Sequence, residues 1–401
     1  MPTQSIATEL KTFTTSDVLL QNGSVLPEVT LAYRTVGTLA PNRDNVVLIT
    51  HGNTSGPQMI DPGGSTGEGS WCEIVGPGKA VDTNRYFAIC PNMLGSSYGS
   101  TNAASIDPRT GRRYGPRFPD ITVGDIVATQ RALLDGLGIE RLVAIVGPSY
   151  GGFQALQWAV NYPDAMRGIA AVVTAPLVPR ERAEGNVARL MATLSQDPNW
   201  NGGDYYDHGG VLESMIQIRT ATLKSYGIET RLRDTLTDPA DIEAAIRAEA
   251  TEWARGFDAN SLLTLARALR GFDVTAQFEK IKAKLLYVLS RTDKLFPPEL
   301  AQQVMPALKA AASTPITSCS TAITAIPRRA ATPINGRRGC ARSWTASVRR
   351  SERIRSGSLH PQPSSHGGLK MHALRTGCHK NPVVVLRRAR LRLTAKVQDI
   401  F

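Results

Sequence analysis

Short apolar runs alternate along the chain with stretches in which apolar residues recur every three to four positions. Val18–Leu20 and Val29–Tyr33 lie on either side of a turn-rich stretch that begins Gln21-Asn22-Gly23, which predicts a β-hairpin. Val46–Thr50 and Tyr86–Cys90 are short and apolar throughout, the pattern of strands buried on both faces. Thr122, with Asp125 three residues later, marks a helix start, and Ile126, Leu133, Leu134 and Leu137 carry the helix to Gly138. Leu142–Val146 and Ile169–Val173 read as further strands, Lys284–Ser290 as another, and a helix is expected from Pro298 to Ala311. Strands alternating with helices predict an α/β fold with a mostly parallel central sheet and helices on both faces.

The pattern changes twice. Residues 176–265 are helical, charged and aromatic, with a glycine-rich stretch at Asn201–Gly210, and are assigned to an inserted helical cap. Residues 1–175 and 266–311 then form the two parts of one core. From 312 to 401 the periodicity is lost, and no clear element precedes Val383–Leu386.

This tail also carries the excess charge. The 401-residue chain has a formal net charge of +12. Residues 312–401 hold 17 Lys and Arg against 2 Asp and Glu, whereas the first 311 residues hold 29 against 32. The body therefore has the balance of an ordinary enzyme. The basic residues of the tail lack interleaved aromatics or any nucleic-acid-binding motif, so no nucleic acid is expected as a partner. No run of eighteen apolar residues appears, and the start MPTQSIATELKTF lacks the basic and apolar regions of a signal peptide, so neither membrane nor export is expected. Cys72, Cys90, Cys319, Cys340 and Cys378 have no CxxC or metal-ligand spacing. No metal is expected, and reduced thiols suit the cytoplasm.

Gly147-Pro148-Ser149-Tyr150-Gly151 is a G-x-S-x-G string between a predicted strand and a predicted helix at Gly152–Ala159. That setting distinguishes a nucleophile elbow from an ordinary βα turn and makes Ser149 the candidate nucleophile. Such a serine needs two oxyanion donors. The backbone N–H of Tyr150, directly after it, is one; the N–H of Asn53, in the loop after the Val46–Thr50 strand, is the other. His51 in the same loop reads as a loop-shaping residue, not as a general base. Asp293 follows the Lys284–Ser290 strand and suits a triad acid that orients an imidazole.

Further stretches make the resemblance specific. Gly76–Thr83, Asn92–Thr101, Ile106–Gly111, Gly147–Ala159 with Tyr162–Asp164, Phe257–Ser261 and Asp293–Pro298 are similar to the homoserine O-acetyltransferase family of the α/β-hydrolase superfamily. The resemblance spans about residues 15–311. It implies an acyl-enzyme on Ser149, acetyl-CoA as acyl donor with no permanently bound cofactor, a small-molecule alcohol acceptor and a homodimer. It assigns Asp293 as the acid and gives Phe257–Ser261 a structural part in the return from cap to core. Gly256 stands where members that acetylate homoserine commonly carry Arg, Leu262 where they carry Tyr, and His51–Gly56 departs from the usual His-Ala-x-Thr-Gly-Asp. Homoserine is therefore not the expected preferred acceptor. An esterase using water, or a non-catalytic remnant, are the alternatives.

The family's triad histidine ends a Tyr-Gly-His motif after the acid. Here the histidines after Asp293 are His360, His366, His372 and His379, and none sits in that motif; His208 precedes the acid. Ile316–Ile326 can be encoded so that reading from the third base yields H-F-L-L-D-S-D-Y-G-H, the missing motif, and Pro327–Val348 continues as an amphipathic helix. The tail thus reads as an out-of-frame translation beginning near Ala311. The nucleotide sequence between codons 305 and 350 is expected to show an insertion or deletion against the frame that restores this motif; an uninterrupted frame in related genes, with the same basic tail, would refute it.

Overall fold

Some of the apolar runs lie within longer strands, because backbone pairing extends them, as Val29–Tyr33 lies within Val25–Val36, whereas Lys284–Ser290 keeps its own length. The computed structural model describes residues 8–61, 71–311 and 319–324. Eight strands form one sheet: β1 (Lys11–Leu19), β2 (Val25–Val36), β3 (Val46–Ile49), β4 (Phe87–Pro91), β5 (Leu142–Pro148), β6 (Met166–Val172), β7 (Lys284–Ser290) and β8 (Cys319–Thr324). Their order is β1-β2-β4-β3-β5-β6-β7-β8. The β1–β2 hairpin and the β2–β4 pair are antiparallel, and every other pair is parallel.

Side chains of a strand alternate between faces, and β3 shows what this does to a continuous apolar run. Val46 and Leu48 join the larger core cluster, and Val47 and Ile49 join a second cluster on the other face. The larger cluster is covered by α1 (Val123–Gly136) and α2 (Tyr150–Asn161). At the start of α1 a capping box forms as the sequence pattern predicts: Asp125 N–H donates to Thr122 Oγ1 (3.1 Å) and Thr122 N–H to Asp125 Oδ2 (2.8 Å). Asp125 Oδ1 also accepts from Gln21 N–H at 2.8 Å, which ties this helix to the hairpin turn.

Between β6 and β7 lie α3 (Arg180–Leu194), α4 (Leu212–Ser225), α5 (Ile228–Leu232), α6 (Pro239–Gly256) and α7 (Ala259–Arg267). Met215, Ile218 and Leu223 of α4 and Ile242, Ile246, Ala250 and Trp253 of α6 are buried at helical spacing. The glycine-rich stretch is tied down: Arg117 donates to both carboxylate oxygens of Asp204 (2.7 and 3.0 Å), and Asn260 Nδ2 donates to Gly203 O at 2.8 Å. Asp258 caps α7 by accepting from Ser261 N–H (2.7 Å), and it also accepts from the Tyr205 hydroxyl. Helix α8 (Leu300–Ala311) follows β7. No helix among the described residues is long and apolar enough to cross a membrane.

Strand β8 corrects the expectation that no element precedes Val383. Cys319–Thr324 pairs in parallel with β7 from Leu285 to Ser290. The physical reason is that a sheet edge offers unpaired N–H and C=O groups whatever the incoming side chains are, so a stretch lacking a strand's apolar pattern still pairs. The rest of residues 312–401, with His360, His366, His372 and His379, lies outside the described residues.

A buried polar chain crosses the helical layer. Trp158 Nε1–H donates to Gln130 Oε1 (2.9 Å), Gln130 Nε2 to Gln154 Oε1 (2.7 Å), and Gln154 Nε2 to His51 O (3.0 Å). Gln130→Leu strands one buried donor and one buried acceptor, each at a cost of about 1–3 kcal/mol. The urea midpoint of this variant is expected to fall accordingly, and a midpoint equal to that of the parent would show that the chain carries no stability.

Candidate active site

Strand β5 ends at Pro148 and α2 begins at Tyr150, so one residue makes the turn. Ser149 has φ 52° and ψ −115°, outside the regions open to most L-residues. Its N–H donates to Val172 O of β6 (2.8 Å), and its carbonyl accepts from Gly152 N–H (2.9 Å) and Thr174 Oγ1 (2.9 Å). Ser149 is partly exposed between two buried neighbours.

The surrounding glycines are required by contact. A Cβ on Gly147 would overlap the Thr50 hydroxyl and the Gly151 carbonyl, and one on Gly151 would overlap the Thr50 carbonyl. A Cβ on Gly152 would lie 2.5 Å from Thr174 Cβ. The elbow is therefore packed directly against the end of β3 on one side and the end of β6 on the other.

The loop after β3 runs beside the elbow. Ile49 pairs with Val146, Thr50 N–H donates to Val146 O (3.0 Å), and Thr50 Oγ1 donates to Gly151 O (2.8 Å). Asn53 thus follows β3 past the sheet edge next to the one where Ser149 and Tyr150 leave β5. Tyr150 N–H stands in the first turn of α2, where backbone donors point out of the helix. The Tyr150 side chain is buried, its hydroxyl donates to Leu265 O (3.2 Å), and burial pushes its pKa up.

Asp293 leaves the same edge from β7, with β6 between it and Ser149. Its Oδ1 accepts from the N–H groups of Leu295 (2.8 Å) and Phe296 (2.9 Å), and Oδ2 takes part in neither bond. The Phe296 ring meets Phe153 of α2 edge-on at 5.9 Å, which fixes this turn against the elbow helix. Asn53, Ser149, Tyr150 and Asp293 therefore all follow the C-terminal ends of three parallel strands of the sheet.

His51 is fully buried, with Nδ1 2.8 Å from Gly52 O and Nε2 2.9 Å from Asn92 Oδ1. Burial lowers its pKa to about 4, so the ring is neutral near pH 7 and has one proton for the two acceptors it faces. This is the environment of a loop-shaping group. His208, the other histidine among the described residues, is exposed between α3 and α4. A cleft of about 640 Å³ bordered by Glu28, Thr101 and Ile106 contains none of the four residues. No group of side chains fit to hold a metal ion occurs among the described residues.

Sequence reasoning missed what grips this edge from the side of the inserted helices. Trp253 of α6 is buried, donates from Nε1 to Thr54 O at 3.0 Å, and stacks on Phe257 with ring centroids 4.9 Å apart. The fully buried Arg219 of α4 lies 4.9 Å over the Trp253 ring. Tyr98, with φ 73°, meets Phe257 edge-on, and burial pushes its hydroxyl up to about 12 despite the opposing charge of Arg219. An apolar helical period explains Trp253 equally well, so its N–H bond had no sequence signal.

The α/β hydrolase fold family matches residues 45–313, a stretch that contains all four site residues. A homoserine O-acetyltransferase of Rhodospirillum rubrum is 36% identical over 318 residues, 73% of this chain and 81% of that protein. A homoserine O-succinyltransferase of Methylibium petroleiphilum is also 36% identical, over 72% of this chain and 81% of that protein. Other relatives are longer: the chain covers 64% of a Methanosalsum zhilinae homoserine O-acetyltransferase, at 36% identity over 73% of its own length. A crystallised esterase superposes with a TM-score of 0.68 at 28% identity, covering 79% of this chain and 93% of the esterase.

The elbow geometry makes a stability prediction. Holding an L-residue at φ 52° costs about 1–3 kcal/mol, and glycine relieves this while losing about 0.5–1 kcal/mol to chain entropy. Ser149→Gly is expected to be more stable than the parent by about 1 kcal/mol in urea unfolding, and Ser149→Ala, which keeps Cβ, is expected to match the parent. Equal or lower stability of the glycine variant would show that the turn is unstrained.

Proposed function

Since the chain belongs to the homoserine O-acetyltransferase family of the α/β hydrolase superfamily, we propose that its acyl transfer proceeds through an ester on Ser149. The observation that supports this reading is the conformation of Ser149, held at φ 52° between the end of β5 and the start of α2, against which the loop after β3 packs.

Ser149 Oγ attacks the thioester carbonyl of acetyl-CoA, its proton passes to a base, and the carbonyl oxygen takes the charge between the two N–H donors. The C–S bond then breaks, and the thiolate leaves with a proton. An acceptor hydroxyl attacks the ester in turn and regenerates Ser149. Asp293, its Oδ1 held by two backbone N–H groups, orients the imidazole that moves these protons. Residues 176–265 act as a cap over this site, and the enzyme works as a cytoplasmic homodimer.

The histidine of the family's Tyr-Gly-His motif is what the chain lacks in its given frame. Neither His51, sealed in the interior, nor the exposed His208 stands with Ser149 and Asp293. Loss of the base from a triad lowers turnover by roughly 10⁴–10⁶-fold, so the 401-residue chain is impaired. Continued past its histidine, the restored frame allows Gly-His-Ser-Ala, with Ser where homoserine enzymes of the family commonly carry the Asp that pairs with the substrate ammonium, a loss of about 1.5–3 kcal/mol, and Gly256 separately removes the usual Arg. The likeness to a crystallised esterase favours a second reading in which water takes the acyl group.

One comparison tests these points. The 401-residue chain and a version with the frame restored from codon 311 are given acetyl-CoA with water, homoserine or other alcohols. The restored protein is expected to be faster by roughly 10⁴–10⁶-fold, with homoserine not preferred. Equal rates would refute the histidine argument, dominant homoserine turnover would refute the acceptor assignment, and release of acetate unaffected by any alcohol would establish the esterase.

A further inference from the structure

The buried indole of Trp253 is the start of a hydrogen-bonded path that ends at the oxyanion donor of Asn53. Trp253 Nε1–H donates to Thr54 O at 3.0 Å. That carbonyl shares its peptide plane with the Ser55 N–H, which donates to Gly52 O at 3.2 Å. The Gly52 carbonyl in turn shares its plane with the Asn53 N–H. In a trans peptide the C=O and N–H point in opposite directions, so each link hands its direction to the next. The path consists of one side chain and two peptide groups, and its free end is the N–H of Asn53.

We propose that Trp253 is a positioning residue for the oxyanion hole: an indole on α6 aims and polarises the Asn53 N–H through the Thr54–Ser55 and Gly52–Asn53 peptides. This inference rests on the assignment of Ser149 and Asn53 above.

Two physical effects act along the path. Rotation of the Gly52–Asn53 peptide would swing the Asn53 donor away, and the bond from Ser55 to Gly52 opposes that rotation. Hydrogen bonds in series also polarise one another, so a donor at one end strengthens the donor at the other. The indole is itself held in place. Phe257 stacks on one side at 4.9 Å, and the Arg219 guanidinium lies over the ring at 4.9 Å. The arrangement makes the placement of α6 a condition for a well-formed hole. Movement of that helix away from the sheet edge loosens the donor, and its return restores it.

The test uses equilibrium formation of a tetrahedral adduct, which needs no turnover. The Ser149 hydroxyl adds to trigonal methylboronic acid and releases its proton to the buffer, leaving an anionic tetrahedral boron whose oxygen faces the hole. Trp253→Phe keeps a stacking ring and removes the N–H together with the five-membered ring that bears it. In the full chain this variant is expected to bind methylboronic acid about tenfold more weakly, with its ¹¹B resonance moved from the tetrahedral towards the trigonal position, while its urea transition, lowered by the stranded Thr54 carbonyl, stays cooperative. A second measurement needs no substitution: the Trp253 indole N–H resonance of the unaltered protein is expected to shift on boronate addition, while that of Trp200, stacked on Tyr205, stays. An unshifted Trp253 resonance and parental affinity in Trp253→Phe, with binding abolished by Ser149→Ala, would overturn the positioning role and leave the nucleophile in place. Boronate binding that survives Ser149→Ala would overturn the nucleophile assignment and this inference with it.

Discussion

At Ser149 the chain passes from strand to helix through a backbone conformation that costs an L-residue about 1–3 kcal/mol. It stays there because Val172 holds its N–H and because Gly152 and Thr174 hold its carbonyl. Everything around the turn follows from that pinning. Side chains are excluded at Gly147, Gly151 and Gly152, so the ends of β3 and β6 close directly onto the elbow. The serine then projects from the sheet edge while its neighbours remain buried, and the first N–H groups of α2 are left facing the same space.

The loop after β3 has to meet this turn with equal accuracy, and its support comes from two directions. From the helical layer, Gln154 holds the His51 carbonyl at the end of a chain of buried amides. From the inserted helices, Trp253 holds the Thr54 carbonyl. Buried polar groups are costly unless partnered, so these bonds leave the loop little freedom to rearrange. The same burial removes His51 from proton transfer near pH 7: its ring is neutral, enclosed and engaged with Gly52 and Asn92. The histidine of the loop beside the elbow is thus a scaffold residue.

Strand β8 shows how little side-chain information a parallel edge requires. β7 presents its free edge, and Cys319–Thr324 pairs with it through backbone groups. Supplying a triad histidine is a more demanding task, because it needs one particular side chain at one position beyond that strand.

The elements of the core were legible because their periods differ: continuous runs such as Val46–Thr50 and Leu142–Val146 mark strands buried on both faces, while Ile126, Leu133 and Leu134 mark one face of a helix. The elbow was legible because glycines crowd around one serine between a strand and a helix, and the Thr122–Asp125 cap because its two residues suffice to make it. Local chemistry determined all of these, so sequence spacing alone carried them. Sequence could not say how the order of β3, β5 and β7 in the sheet sets Asn53, Ser149 and Asp293, which follow their C-terminal ends, relative to one another, since order depends on crossovers many residues long. Nor could it say that Trp253 reaches Thr54, 199 residues earlier. An indole in an apolar stripe satisfies the helix pattern wherever its N–H points, and only the packing of α6 against the sheet edge decides what that N–H holds.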